Sequence, residues 1–221
     1  MSTTESPDHD QRFKTLLAEF FREFLFLFFP TWAARFDLSA VDWLTQEVFP
    51  DPPQGERRAL DLVGRVRQLP GVPPPFEGGA DEGFVLIHLE VESQDRIAGF
   101  RRRFFNYYCD LRRKFDVPVW PIGVFLRVGL NGVGWTSYEE MFWEQRVLEF
   151  WFAYVGLPAL DAETYLHGES VLGAALMSLM RVPRERRVEL EAEAMDRIGR
   201  ANENVWRRFL LAECLQAYSK S

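Results

Sequence analysis

The stretch FVLIHLEVESQ, Phe84 to Gln94, decides how this chain is read. Phe84-Val85-Leu86-Ile87 is an apolar run of the kind that enters a core as a β-strand. Side chains alternate across a strand, so His88, Glu90 and Glu92 project to one side of it. Two carboxylates that close, on a strand leaving a core, repel each other and resist losing water. The arrangement predicts a compensating positive charge near this strand.

Working outward, "RRALDLVGRVRQL" (57–69) alternates as the preceding strand. Leu60, Leu62 and Gly64 lie on one side, and Ala59, Asp61, Val63 and Arg65 on the other. The Pro/Gly-rich stretch at 70–83 reads as the turn between the two. The hairpin so formed carries Asp61 on one arm and Glu90 and Glu92 on the other. A helix follows over about 95–115, with Ile97, Phe100, Phe104, Tyr107, Tyr108, Leu111 and Phe115 as its apolar stripe. "VPVWPIGVFLRV" (117–128) reads as a central or parallel strand, and 136–155 as two further strands or a hairpin. Before the hairpin, Asp10 caps a helix running to Phe29, Pro30 ends it, and Leu38–Glu47 reads as a short helix. From Ala162 the pattern is helical, interrupted by "RVPRERR". The order is that of an α/β domain.

Composition bounds the function. The chain has 221 residues, 47% of them hydrophobic, with 20 Phe and 7 Trp, which is ample for a core. A net charge of −7 excludes a generally basic nucleic-acid binder, so any such contact needs a local patch. Two distant cysteines, Cys109 and Cys214, argue against a disulfide framework and against a thiolate zinc site, and suit a reducing, cytoplasmic setting. The polar start "MSTTESPDHD" does not read as a signal peptide. The uncharged run from Phe24 to Ala34 is 11 residues, short of the ~20 a spanning helix needs, so no membrane partner is expected.

The acidic residues and the helix after them suggest a chemistry. Carboxylates from adjacent strands that converge on one point are stabilised by a divalent cation, and hard oxygen donors suit Mg²⁺ or Mn²⁺. Such an ion activates water and stabilises an anionic transition state, as phosphodiester hydrolysis requires. The helix at 95–115 carries seven basic and two acidic side chains, a local +5. A positive element directly after a negative pocket suits a polyanion, with Arg101, Arg102 and Arg103 as phosphate contacts. Arg103 and Tyr107, four apart, share a helix face.

The chain resembles the PD-(D/E)XK nuclease superfamily, and within it the bacterial recombination-promoting nuclease and transposase-like group. The matching pieces are "HDQRFKTLL" (9–17), "GERRALDLV" (55–63), "IHLEVESQ" (87–94) and "FRRRFFNYYCDL" (100–111), in the family's order. The resemblance implies a restriction-endonuclease-like mixed sheet flanked by helices over residues 9–160, after a loose tail at 1–8. Residues 161–221 form a helical extension matching nothing. It implies that Asp61 and Glu90 are metal ligands and that the substrate is DNA. Glu92 stands where the superfamily has Lys, and acts there as general base or further ligand. Gln94 and Tyr107 match polar positions of the group, and Asp10 and Lys14 match its N-terminal helix motif. The expectation is a Mg²⁺-dependent DNA endonuclease linked to recombination or mobile elements.

Plainer readings stand beside these. An E-x-E strand is often a solvated face, a lone His88 is more often a core histidine, and the arginine run can pair with acidic neighbours in an acidic protein. The departure at Glu92 leaves a catalytically inactive nuclease fold that binds nucleic acid or protein as the alternative function. A carbohydrate hydrolase is a third, requiring an open cleft with stacked aromatics near Glu90. A homodimer is compatible with the aromatic content, if those aromatics prove to be exposed.

Overall fold

The computed structural model describes residues 7–44, 61–75, 83–93, 97–127 and 129–219. The strand that opens at Phe84 is the centre of the molecule. Helices α1 (Pro7–Glu19), α2 (Phe21–Phe28) and α3 (Pro30–Ala33) precede strands β1 (Phe36–Trp43), β2 (Leu62–Gln68) and β3 (Phe84–Glu92). Helix α4 (Ile97–Phe115) leads to β4 (Val119–Phe125), β5 (Gly132–Phe142) and β6 (Gln145–Gly156). Helices α5 (Ala162–Leu166), α6 (Val171–Leu176), α7 (Arg187–Arg200) and α8 (Val205–Ser219) complete the chain. The six strands form one open mixed sheet in the order β1-β2-β3-β4-β6-β5. β2 and β3 pair antiparallel as the expected hairpin, and β3, β4 and β6 run parallel. β5 and β6 form an antiparallel hairpin that leaves β5 at the edge.

The pleat of β3 divides its residues between two layers. Val85, Ile87, Leu89 and Val91 enter the larger core, which they share with Phe13, Leu17 and Phe24 and with Leu172, Leu190 and Leu211 from the C-terminal helices. The helices after residue 161 therefore close over the same face of the sheet as α1 and α2. On the opposite face α4 covers the sheet through Phe100 and Phe104, which pack with Phe125, Phe150 and Phe152. β4 is apolar on both sides because it lies between these layers, as expected of a central parallel strand. Gly123 lets α4 approach: a Cβ there would stand 3.0 Å from the Phe100 ring.

Three local expectations are corrected. The helix expected at Leu38–Glu47 is strand β1 as far as Trp43, and residues 45–47 lie outside the described residues. Leu38, Val41 and Leu44 are spaced three apart and imitate a helix, but a register shift between Asp37 and Asp42 interrupts the two-residue alternation that would have revealed a strand. Val41 and Trp43 fill the space above Gly64, where a Cβ would meet Val41 Cγ1 at 2.7 Å. The first helix is not continuous to Phe29; it breaks at Phe20 (φ −109°, ψ 28°), and Pro30 opens α3 as well as closing α2. Asp10 lies inside α1, which starts at Pro7, so it is not the cap. Among the described residues no helix is long and apolar enough to cross a membrane.

Candidate functional site

The even-numbered side of β3 faces α4 and carries the acidic residues. His88 is fully buried, Glu90 is 4% exposed and Glu92 8%. Antiparallel pairing sets Leu62 opposite Leu89, so the next residue, Asp61, stands across from Glu90 at the mouth of the hairpin. Its Oδ2 accepts a hydrogen bond from the Val91 backbone N–H at 2.6 Å, which ties the carboxyl to the neighbouring strand. Asp61 and Glu90 thus meet because of strand register, as the hairpin reading required.

Two cations answer the three carboxylates. Lys14, on α1, places Nζ 2.6 Å from Asp61 Oδ1. Arg103, on α4, reaches down between the two glutamates, its Nε 3.4 Å from Glu90 Oε1 and its Nη2 3.0 Å from Glu92 Oε2. Burial disfavours the guanidinium's charge, but Glu90 and Glu92 outweigh that effect and hold its pKa above the ordinary value. His88 Nε2 lies 3.3 Å from Glu90 Oε2, and its buried Nδ1 has no hydrogen-bond partner among the described residues. The imidazole sits against Phe104 and Tyr107, with ring centroids at 5.0 and 6.1 Å.

Three carboxylates meet two fixed cations, and the shortfall appears at Asp61. Burial first, and then the charge of Glu90, raise its pKa from 3.8 to about 7, against the opposing pull of Lys14 and of the Val91 N–H. Asp61 is therefore a carboxyl that exchanges its proton near neutral pH.

The remaining expected residues separate. Arg101, Arg102 and Arg103 do not act as one run, because successive helical residues are turned by about 100°. Arg101 donates from Nη2 to Thr136 Oγ1 on β5 at 3.3 Å. Arg102 is exposed and acts electrostatically on Tyr138. Arg103 enters the acidic cluster. The three arginines thus have different intrachain surroundings. Tyr107 is half-buried on the same face of α4 as Arg103 and interacts with it electrostatically. Gln94 lies outside the described residues.

Lys14 is the site residue that spacing arguments did not assign. Its signal in the sequence is a single cation among the apolar positions Phe13, Leu16 and Leu17, and only the packing of α1 reveals that it points at Asp61.

A divalent ion is a question of donor chemistry. Among the described residues no group of three His, Cys, Asp or Glu side chains is arranged to hold a metal. Asp61 and Glu90 are two facing hard-oxygen donors, the number of carboxylates a Mg²⁺ site that keeps several waters would use. Burial and Glu90 penalise the Asp61 charge, so an added cation there would be favourable, and these two residues would hold Mg²⁺ or Mn²⁺. Glu92 is occupied by Arg103. The open cleft a carbohydrate hydrolase needs is not found at Glu90, which is buried beneath α4.

No family model matches the chain, and comparison with curated proteins and with solved structures likewise finds no match.

Proposed function

We propose that this protein is a divalent-metal-dependent DNA endonuclease in which Asp61 and Glu90 hold Mg²⁺ or Mn²⁺. The observation that carries this reading is the facing pair itself: Glu90 on β3 and Asp61 just before β2, the latter against Lys14 and short of positive charge. When bound, the ion supplies Lewis acidity and stabilises the pentavalent phosphate transition state. Lys14 takes over the charge that the superfamily pattern places at position 92. Its ammonium fixes the orientation of Asp61 and sets a positive charge at the mouth of the hairpin, where a scissile phosphate would sit. Glu92, bonded to Arg103, anchors that guanidinium across the cluster. Arg102, exposed on α4, is the remaining member of the arginine run free to approach a phosphate backbone. The link to recombination or mobile elements rests on the family resemblance alone.

The experiment is nicking of supercoiled plasmid DNA with and without Mg²⁺ or Mn²⁺. Cleavage is expected to require the ion and to be lost in Asp61→Ala and in Lys14→Met. Cleavage that survives Asp61→Ala, or proceeds in chelator, would reject the assignment.

One observation favours a second reading, a nuclease fold that binds without cutting. Arg103 already bridges Glu90 and Glu92 and occupies part of the space a cation would use. The two readings differ in the melting temperature. A bound ion raises it, and Glu90→Gln removes the rise. No shift with either ion supports the binding scaffold.

A further inference from the structure

The β5–β6 hairpin has an unusual surface. Seven large apolar side chains exposed in the described structure lie in it: Val147 and Trp151 on β6, and five that gather toward the two ends of edge strand β5. At the tip are Met141 (55% exposed), Phe142 (62%) and Trp143 (83%); at the base are Val133 and Trp135 (39% each). The middle of the strand, Thr136 to Glu140, is polar. Trp143 also has φ 54°, a left-handed conformation that Gly or Asn adopts far more readily than Trp. Trp143 meets the ring of its neighbour Phe142 at 4.9 Å, and both rings stay mostly exposed.

We propose that β5 is a homodimer interface, in which the edge strands of two copies pair antiparallel about a two-fold axis at Tyr138 and extend the sheet across both molecules. The proposal stands independently of the nuclease reading. Among the described residues the outer edge of β5 is unpaired over 11 residues, and the strand holds neither Pro nor Lys, the usual protections of an edge. The bulge of this hairpin falls on β6, where Val147 has no opposite, so β5 itself is regular.

The occupant follows from the pattern. Antiparallel pairing brings the tip of one copy to the base of the other. Facing residues share a side of the sheet, so the axis passes through a residue. An axis at Glu139 would oppose two identical carboxylates. An axis at Ser137 would set Trp135 against Glu139. The axis at Tyr138 sets Met141 against Trp135 and Phe142 over Gly134, and brings the turn residue Trp143 toward Val133, with Glu139 facing Ser137 and Glu140 facing Thr136. No directly facing like charges meet, and the exposed apolar residues at the tip end of β5 find apolar or glycine partners. At ~200 Å² for a large side chain, Met141, Phe142, Trp143 and Trp135 offer roughly 500 Å² per copy. The paired strand edges add to this, toward the ~800 Å² per partner of a stable interface.

The test is sedimentation of the full chain over a range of concentrations, with two variants. The wild type is expected to dimerise reversibly. Trp143→Asn suits the left-handed backbone, so the fold is kept, while the dimer dissociation constant rises about thirtyfold, the effect of losing two symmetry-related aromatic contacts worth about 1 kcal/mol each. In a Cys109→Ser background, which removes the exposed thiol, Tyr138→Cys is expected to form an intermolecular disulfide on oxidation. Cα atoms facing across such a pair are about 4.5–5.5 Å apart, within reach of that bond. A protein that stays monomeric at every concentration overturns the proposal, and leaves the edge to another partner or to none. A dimer indifferent to Trp143→Asn that forms no cross-link through Tyr138→Cys overturns it equally, by placing the interface elsewhere.

Discussion

Asp61→Asn is the sharpest probe of the acidic cluster, because it keeps the shape of the side chain and removes its titration. In the folded protein burial and Glu90 raise the Asp61 pKa from 3.8 to about 7. A group with a raised folded pKa binds more protons in the native state than in the unfolded chain across that interval. Its contribution to stability is complete below the unfolded value, near pH 4, and is lost as the pH rises through about 7. At about 1.4 kcal/mol for each tenfold change in proton affinity, the full effect approaches ~4 kcal/mol, and the part lost between about pH 5.5 and pH 8 is roughly 2 kcal/mol. The assay is urea unfolding followed by tryptophan fluorescence at those two pH values, in chelator. The wild type should lose roughly 2 kcal/mol more than Asp61→Asn on going to the higher pH. Most other titrating groups cancel in this comparison, which reads the slope and not the absolute stability. Mg²⁺ added at about pH 8 should restore part of the wild-type loss and do nothing for the variant, since the ion competes with the proton for the same carboxylate. Equal pH slopes in the two proteins would refute the electrostatic account of the cluster, and with it the case for a shared ion.

Two further outcomes concern stability. Arg103→Met removes the guanidinium from between Glu90 and Glu92 and leaves two buried like charges; a loss of about 3 kcal/mol is expected in chemical denaturation, and Arg103→Lys should recover little of it because a single ammonium cannot reproduce the two-pronged contact. Gly156→Ala should prevent stable folding, since its Cβ would lie 1.6 Å from the Leu130 carbonyl oxygen, and backbone cannot yield as a flexible side chain can; circular dichroism of the purified variant would read this directly.

Much of the architecture was legible because its signals are local. The alternation in 84–92 marked a strand with an apolar and an acidic side, the turn residues at 70–83 marked a hairpin, and register alone then set Asp61 against Glu90. The run 119–125 was long and apolar enough to require cover on both faces, and it lies between two helical layers. Strand β1 escaped because an irregularity in pairing destroyed the two-residue period while leaving a three-residue one, and only the neighbour β2 decides between them.

By itself, then, the sequence determined which residues are apolar, which alternate and which acidic groups share a strand. Those are properties of neighbours along the chain, fixed by the geometry of a single element. Only the tertiary structure decided what neutralises the acids. Lys14 lies 47 residues before Asp61 and on a different layer, and Arg103 was one of three adjacent arginines that nothing in the sequence ranks. Whether a charge on a helix meets solvent, a phosphate or a buried carboxylate depends on the rotation and depth at which that helix packs. Those quantities are set by the whole core, through Phe100 and Phe104 on one face of the sheet and Phe13 and Leu17 on the other.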